Sequence, residues 1–257
     1  MKNLTKYICS MAAGAAMCAG TFHITKGKQE KAKREKAHVP YGVYEAVFKR
    51  PLDIAASGAA LVLLSPAIGI ITIITTIKMN GNPFFMQQRP GKEEKIFKLI
   101  KFRSMTNERK SNGDLLPDAA RMTDFGKFLR ASSLDELPEL INILKGDMSF
   151  VGPRPLAVQY LPFYNEEEQK RHSVLPGLTG LAQVHGRNAT TWEERLDYDV
   201  QYTKHISFAE DLRILFETIK VVFKHSGIGT RGIDSPEDFD EYRKKQWAGI
   251  KDGSHEH

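Results

Sequence analysis

Cysteine is nearly missing from this chain: Cys9 and Cys18 are the only two, and their spacing fits neither a zinc-binding pair nor a disulfide framework. Thiol chemistry is therefore excluded from everything after the first twenty residues, which suits a reducing compartment. Internal repeats are absent, and so is any nucleic-acid-binding motif. Long hydrophobic runs are scarce. A single stretch, Ile54 to Ile77, has no charged residue and no Asn or Gln, and one such run cannot build the multi-helix pore of a translocase or polymerase.

What is present is ample for a folded domain. The chain has 257 residues, 41% hydrophobic and 26% charged, enough to bury a sizeable core. A formal charge of +6 favours anionic partners: an acidic membrane surface, phosphorylated substrates or nucleic acid. At the N-terminus, residues 7–22 form an uncharged stretch of mostly small residues between Lys2 and Lys6 and the run KGKQEKAKREK. It fits a short membrane anchor or a removable signal peptide, and its length is marginal for crossing a hydrocarbon core. The lysine-rich residues 26–38 read as a solvated helix or a lipid-headgroup contact.

The run Ile54–Ile77 is long enough to cross a bilayer as a helix, which takes about 20 residues. Ser65-Pro66 sits at its midpoint, where proline removes a hydrogen bond and clashes with the carbonyl one turn back, so a break is expected there. Lys49 and Arg50 precede the run, and Lys78, Lys92, Lys95, Lys98 and Lys101 follow it. Positive charge at both ends draws both to the cytoplasmic side, which a re-entrant hairpin permits and a straight span does not. A buried helix of a soluble core is the competing reading.

Beyond Gly81-Asn82-Pro83, the runs FFMQQ and KIFKLIKF flank Arg89-Pro90-Gly91-Lys92 and read as a β-hairpin. Residues 106–118 read as a loop, and helical patterns follow near 120–130, 134–145, 156–171 and 192–224. The resulting expectation is a mainly helical α+β chain in three parts: an N-terminal extension over 1–47, one catalytic domain over 48–228 that includes the membrane helix 54–77, and a tail over 229–257.

Ser133-Leu134-Asp135-Glu136 has the spacing of a capping box, which would place both carboxylates in the electropositive first turn of a helix. Two acids at a helix start suit Mg²⁺, which bridges one or two carboxylates to substrate phosphates. They equally suit simple capping. Lys101 and Arg103 in KFRSM, Arg130, Arg154 between two prolines, and Arg187 in HGRN are candidates for phosphate contacts, since arginine grips phosphate oxygens with paired hydrogen bonds.

The string SSLDELPELINILKGDMSFVGPRPL, with KRPLDI before the apolar run and KFRSMT after the hairpin, resembles the bacterial sugar transferase family, the monotopic phosphoglycosyl transferases. The likeness runs from about Phe48 to about Lys224. It implies a single domain seated in one leaflet on a re-entrant helix broken at Ser65-Pro66, on the cytoplasmic face of the bacterial inner membrane. It further implies a ping-pong reaction in which Asp135 takes a sugar phosphate from a UDP-sugar, releases UMP, and passes the group to undecaprenyl phosphate with Mg²⁺ as cofactor. Glu136 completes an Asp-Glu pair as a metal or proton-handling residue. By the same resemblance, Lys101, Arg103, Arg130, Arg154 and Pro155 are phosphate contacts, Arg187 a nucleotide contact, and Asp199 an active-site acid. Membrane lipids and downstream glycosyltransferases are the implied partners, and the product would enter exopolysaccharide, capsule, O-antigen or glycoprotein glycan synthesis. The competing class is a non-catalytic basic membrane protein that binds acidic lipid or nucleic acid. Neither the sugar nor the oligomeric state is readable from the sequence.

Overall fold

A computed structural model of the chain describes residues 38–185, 190–223 and 237–253. The stretch 7–22 and Arg187 lie outside the described residues, as do 224–236. From Pro40 onward the described chain forms one compact unit.

A π-helical turn, Tyr44–Phe48, leads into a thirty-residue helix α1, Lys49–Lys78. Helical hydrogen bonding continues across Ser65-Pro66, where a break was expected. Pro66 has no N–H to offer the carbonyl of Val62 one turn back; the Ser65 hydroxyl supplies the missing donor, reaching that oxygen at 2.8 Å. Most of the apolar surface of α1 faces outward, with Val62, Leu63, Ile70, Ile73 and Ile77 all exposed. Among the described residues this is the one helix long and apolar enough to cross a membrane.

The predicted hairpin forms from β1, Phe84–Pro90, and β2, Ile96–Phe102, antiparallel with Lys101 opposite Phe85. Two short helices follow, α2 (Asp118–Arg121) and α3 (Asp124–Ala131), divided by Thr123, whose side chain caps α3 by accepting from Gly126 N. A side chain at Gly126 would put its Cβ 1.8 Å from the Ser104 carbonyl oxygen, so α3 packs directly on the backbone that follows β2.

The expected helix over 134–145 and its capping box need correction. Ser133 adopts a left-handed conformation (φ 56°) and makes no cap; Leu134–Glu136 is a single 3₁₀ turn, and α4 spans only Glu139–Lys145 behind Pro138. Glu136 forms side-chain bonds to Lys101 and Arg154. The 156–171 pattern also falls short of a helix, splitting into 3₁₀ segments Val158–Phe163 and Glu168–Ser173 around Tyr164, which is extended.

Two parallel strands escaped the sequence reading: β3, Ser149–Val151, and β4, Gly177–Thr179. They approach so closely that a Cβ on Gly177 would lie 2.1 Å from the Gly152 nitrogen. After β4 come α5 (Leu181–His185), α6 (Trp192–Lys204, with a Thr191/Glu194 capping box) and α7 (Phe208–Phe223). The supposed C-terminal tail contains a helix, α8, Phe239–Gly253, whose Phe239 is fully buried.

Three anchors tie this domain to α1. Arg50 donates to the last carbonyls of α4, at 2.7 Å to Ile143 and 3.1 Å to Leu144. Asp53 accepts the Phe150 amide of β3 at 3.2 Å. Lys49 pairs with Asp211 of α7 at 2.5 Å, and Tyr44 and Tyr202 donate to the same carboxylate. Ala60, Leu61 and Leu64 of α1 pack on a core of Leu99, Leu140, Ile143 and Met148. Asn142, wholly buried in α4, accepts the Ile100 amide at 3.0 Å and donates to the Lys98 carbonyl at 2.8 Å, bonding β2 as another strand would. The acid-bearing turn, the hairpin and α1 are thereby held together.

Candidate active site

The hairpin, the turn before α4 and the loop after β3 converge on one group of opposite charges. Asp135 and Glu136 are both buried, at 5% and 7% exposure. The Glu136 Oε1 atom accepts from Lys101 Nζ of β2 and from Arg154 Nη2, each at 2.8 Å. Lys101 also pairs with Glu139 at 3.0 Å. Burial, and then the charge of Glu136, push the Glu139 carboxyl up to about 7, with Lys101 and Arg154 opposing. For Arg154 the dominant influence is Glu136, which holds the guanidinium firmly charged against its burial; Glu139 and Asp135 add to that effect.

Arg154 is aimed by its backbone. The Arg171 guanidinium donates to the Arg154 carbonyl at 2.6 Å and to Asp199 Oδ2 at 2.7 Å and 3.0 Å. Arg171 and Asp199 are almost wholly buried, so their pair lies behind the site. Pro153 and Pro155 fix the backbone torsions on either side.

Beside these charges opens a cleft of about 360 Å³, lined by Arg89, Lys101, Glu139, Arg154 and Pro155 together with Gln87, Gln159, Tyr160, Trp192 and Asp238. Of the residues singled out in the sequence, Lys101, Arg154 and Pro155 line this cleft. Asp135 and Glu136 are not lining groups; they sit buried beside the wall, with Glu136 gripping two of its cations. Arg130 bonds the Ser104 hydroxyl at 2.9 Å, and Arg103 is half-buried just after β2, its amide bonded to Pro83; neither lines the cleft. Asp199 does not reach it either.

The sequence reading overlooked Arg89, Glu139, Trp192 and Asp238 in the lining and Arg171 behind it. Glu139 stood inside the quoted motif, one turn after Asp135-Glu136. A Thr-x-x-Glu spacing at 191–194 announced the start of α6 and hence the place of Trp192. Nothing local marked Asp238.

Two adjacent acids fit Mg²⁺ in the way magnesium is ordinarily held, by one or two carboxylates together with substrate phosphates. Asp135 and Glu136 are the carboxylates that would hold it. No group of three His, Cys, Asp or Glu able to form a protein-only cage occurs among the described residues.

The profile of the family described as bacterial sugar transferase matches residues 44–225, which takes in α1, the hairpin, the acidic turn and the loop of Arg154. The chain belongs to the bacterial sugar transferase family. Among its relatives, this transferase is 47% identical to an uncharacterised sugar transferase, EpsL, of Bacillus subtilis, over 71% of this chain and 90% of the relative. It is 41% identical to the UDP-glucose:undecaprenyl-phosphate glucose-1-phosphate transferase of Klebsiella pneumoniae, over 70% of this chain and 41% of the relative. It is 35% identical to a UDP-N-acetylgalactosamine-undecaprenyl-phosphate N-acetylgalactosaminephosphotransferase of Aeromonas hydrophila, over 75% of this chain and 47% of the relative. The transferase therefore spans less than half the length of these last two.

Proposed function

We propose that this transferase moves a sugar 1-phosphate from a UDP-sugar to undecaprenyl phosphate at the cytoplasmic face of the bacterial inner membrane. The observation that carries the proposal is the buried Asp135-Glu136 pair set against Lys101 and Arg154 beside a cleft. The basic membrane protein without catalysis has less support. A surface built for polyanions avoids carboxylates, whereas here the cations are organised around them.

The reaction is a two-step displacement. A carboxylate oxygen of Asp135 attacks the β-phosphorus of the donor; the bond from that phosphorus to the bridging oxygen breaks, and UMP leaves. The aspartyl phosphosugar is then attacked at the same phosphorus by an oxygen of undecaprenyl phosphate, which frees the carboxylate and yields the lipid diphosphate sugar. Splitting the displacement in two lets one cationic site serve both halves. Donor phosphates replace Glu136 as the partner of Lys101 and Arg154, so the positive charge offsets repulsion between Asp135 and the diphosphate. Arg89 adds a third cation. Asp135 and Glu136 would hold Mg²⁺, which would supply further charge neutralisation.

The lipid acceptor explains the outward apolar surface. With α1 in one leaflet, both its ends lie on one side, the Lys49-Arg50 end held by Asp211 and the last carbonyls of α4 and the other closed by Lys78. Re-entry requires α1, continuous in the structure, to bend at Ser65-Pro66, where proline removes one amide donor and the Ser65 hydroxyl takes its place. On α7, Phe208, Leu212, Phe216 and Ile219 form an exposed stripe at helical spacing that suits the membrane interface.

UMP release, measured on the full chain in lipid nanodiscs with undecaprenyl phosphate and a panel of UDP-sugars, tests this function. Release from at least one donor, lost in Asp135→Asn, is expected. No release from any donor, together with nucleic acid or acidic vesicles retained at moderate salt, would favour the binding protein.

A further inference from the structure

The lining of the cleft is of two chemical kinds. Arg89, Lys101 and Arg154 make part of it cationic. Asp238, Gln159, Tyr160 and Trp192 offer a carboxylate, an amide, a phenol and an indole. That second set suits a ring bearing hydroxyls: the carboxylate and amide accept from hydroxyls, and the aromatic face covers the ring's C–H surface.

Asp238 comes from beyond the part of the chain that matches the family, which ends at residue 225. Even so, its segment is firmly seated. The Trp192 indole donates to the Glu237 carbonyl at 2.8 Å, and Phe239 packs without exposure among Tyr160, Tyr164 and Trp192. One turn into α8, Arg243 forms a buried pair with Glu168 at 2.6 Å. The Tyr160 hydroxyl donates to Asp238 Oδ1 at 2.9 Å, which orients the carboxylate. A carboxylate accepts about four hydrogen bonds, so capacity for ligand hydroxyls remains.

We infer that the start of the C-terminal helix is the sugar-reading wall of this transferase, with Asp238, Gln159 and Trp192 forming the subsite for the donor's pyranose ring. The inference rests on the proposed UDP-sugar donor. The two named relatives share the nucleotide and differ in the sugar, glucose in one and N-acetylgalactosamine in the other. A wall supplied from outside the shared domain is suited to the part of the substrate that differs, while the cationic lining takes the part that is common.

The test uses the full chain in nanodiscs with UDP-glucose, UDP-galactose and their two N-acetyl counterparts, reading kcat/KM by UMP release together with inhibition by UMP. Asp238→Ala should lower kcat/KM for the preferred donor by about tenfold or more and change the ratio between the two best donors by about fivefold, because a site built for a hydroxyl discriminates through it. Inhibition by UMP should stay within about twofold of wild type, since the nucleotide makes no use of this wall. Asp238→Asn keeps the shape and one acceptor oxygen; it should fall between the two and excludes misfolding as the cause. An unchanged donor ratio overturns the inference, and weakened UMP inhibition with an unchanged ratio assigns Asp238 to the ribose instead. Failure of the wild-type protein to release UMP from any donor would overturn the proposed function itself.

Discussion

Replacing Asp199 by Asn should unfold this transferase far more readily than its distance from the cleft suggests. The substitution keeps shape and size and removes one negative charge, leaving the Arg171 guanidinium, 1% exposed, without its counterion. Burial pushes the Asp199 carboxyl up and Arg171 opposes it, so the pair persists because each charge answers the other. Breaking a buried pair from one side costs about 3–5 kcal/mol. For a chain of this size, each kcal/mol lowers Tm by about 2–4 °C, so a fall of about 6–20 °C is expected. Thermal unfolding in nanodiscs, followed by circular dichroism, measures it. The double variant Arg171→Met with Asp199→Leu should recover most of the stability, because apolar residues of similar volume replace a buried pair at little cost. It should not recover UMP release, since Arg154 loses the 2.6 Å bond that holds its carbonyl. A Tm for Asp199→Asn within 2 °C of wild type, or full activity in the double variant, would refute the reasoning that Asp199 acts through Arg171 on Arg154.

Two further outcomes follow from the same structure. Glu139, with its carboxyl at about 7 against an ordinary 4.5, keeps a proton in the folded chain that the unfolded chain gives up between those values. Stability must therefore fall as pH rises through that window, by on the order of 3 kcal/mol for this group once above it. Glu139→Gln should raise Tm at pH 8 and change it little at pH 4.5, and equal pH slopes for the two proteins would count against the assignment. Tags placed before Lys49 and after Lys78 should both be accessible from the cytoplasm. In Pro66→Leu, where the helix regains its amide donor, a straight span with tags on opposite faces becomes favoured; opposite faces in the wild type would exclude re-entry.

Local signals carried much of this architecture into view. The hairpin was legible because alternating apolar residues flank Arg89-Pro90-Gly91-Lys92, and the long apolar helix α1 because a run of that length without a polar amide or a charge is rare. The Asp135-Glu136 pair and the Lys101 and Arg154 cations stood out through their motifs. The capping box failed because Ser133 takes a left-handed conformation and makes no side-chain cap. Long-range pairings left no periodic trace: Asn142 bonding β2, Arg171 joining Asp199 to the Arg154 carbonyl, and β3 pairing with β4 bring together residues 17 to 44 positions apart. Asp238 was invisible for the same reason. Its segment reads as polar and weakly periodic until Phe239 finds an aromatic pocket made by residues far earlier in the chain.

The central claim is that Asp135 carries the phosphosugar covalently, and its most direct test is the intact mass of the protein after incubation with the preferred UDP-sugar and Mg²⁺ in the absence of lipid acceptor. The wild-type chain should gain the mass of one phosphosugar, located at Asp135 and discharged on adding undecaprenyl phosphate, while Asp135→Asn gains nothing. An adduct on another residue, or steady UMP release by Asp135→Asn, would contradict the account.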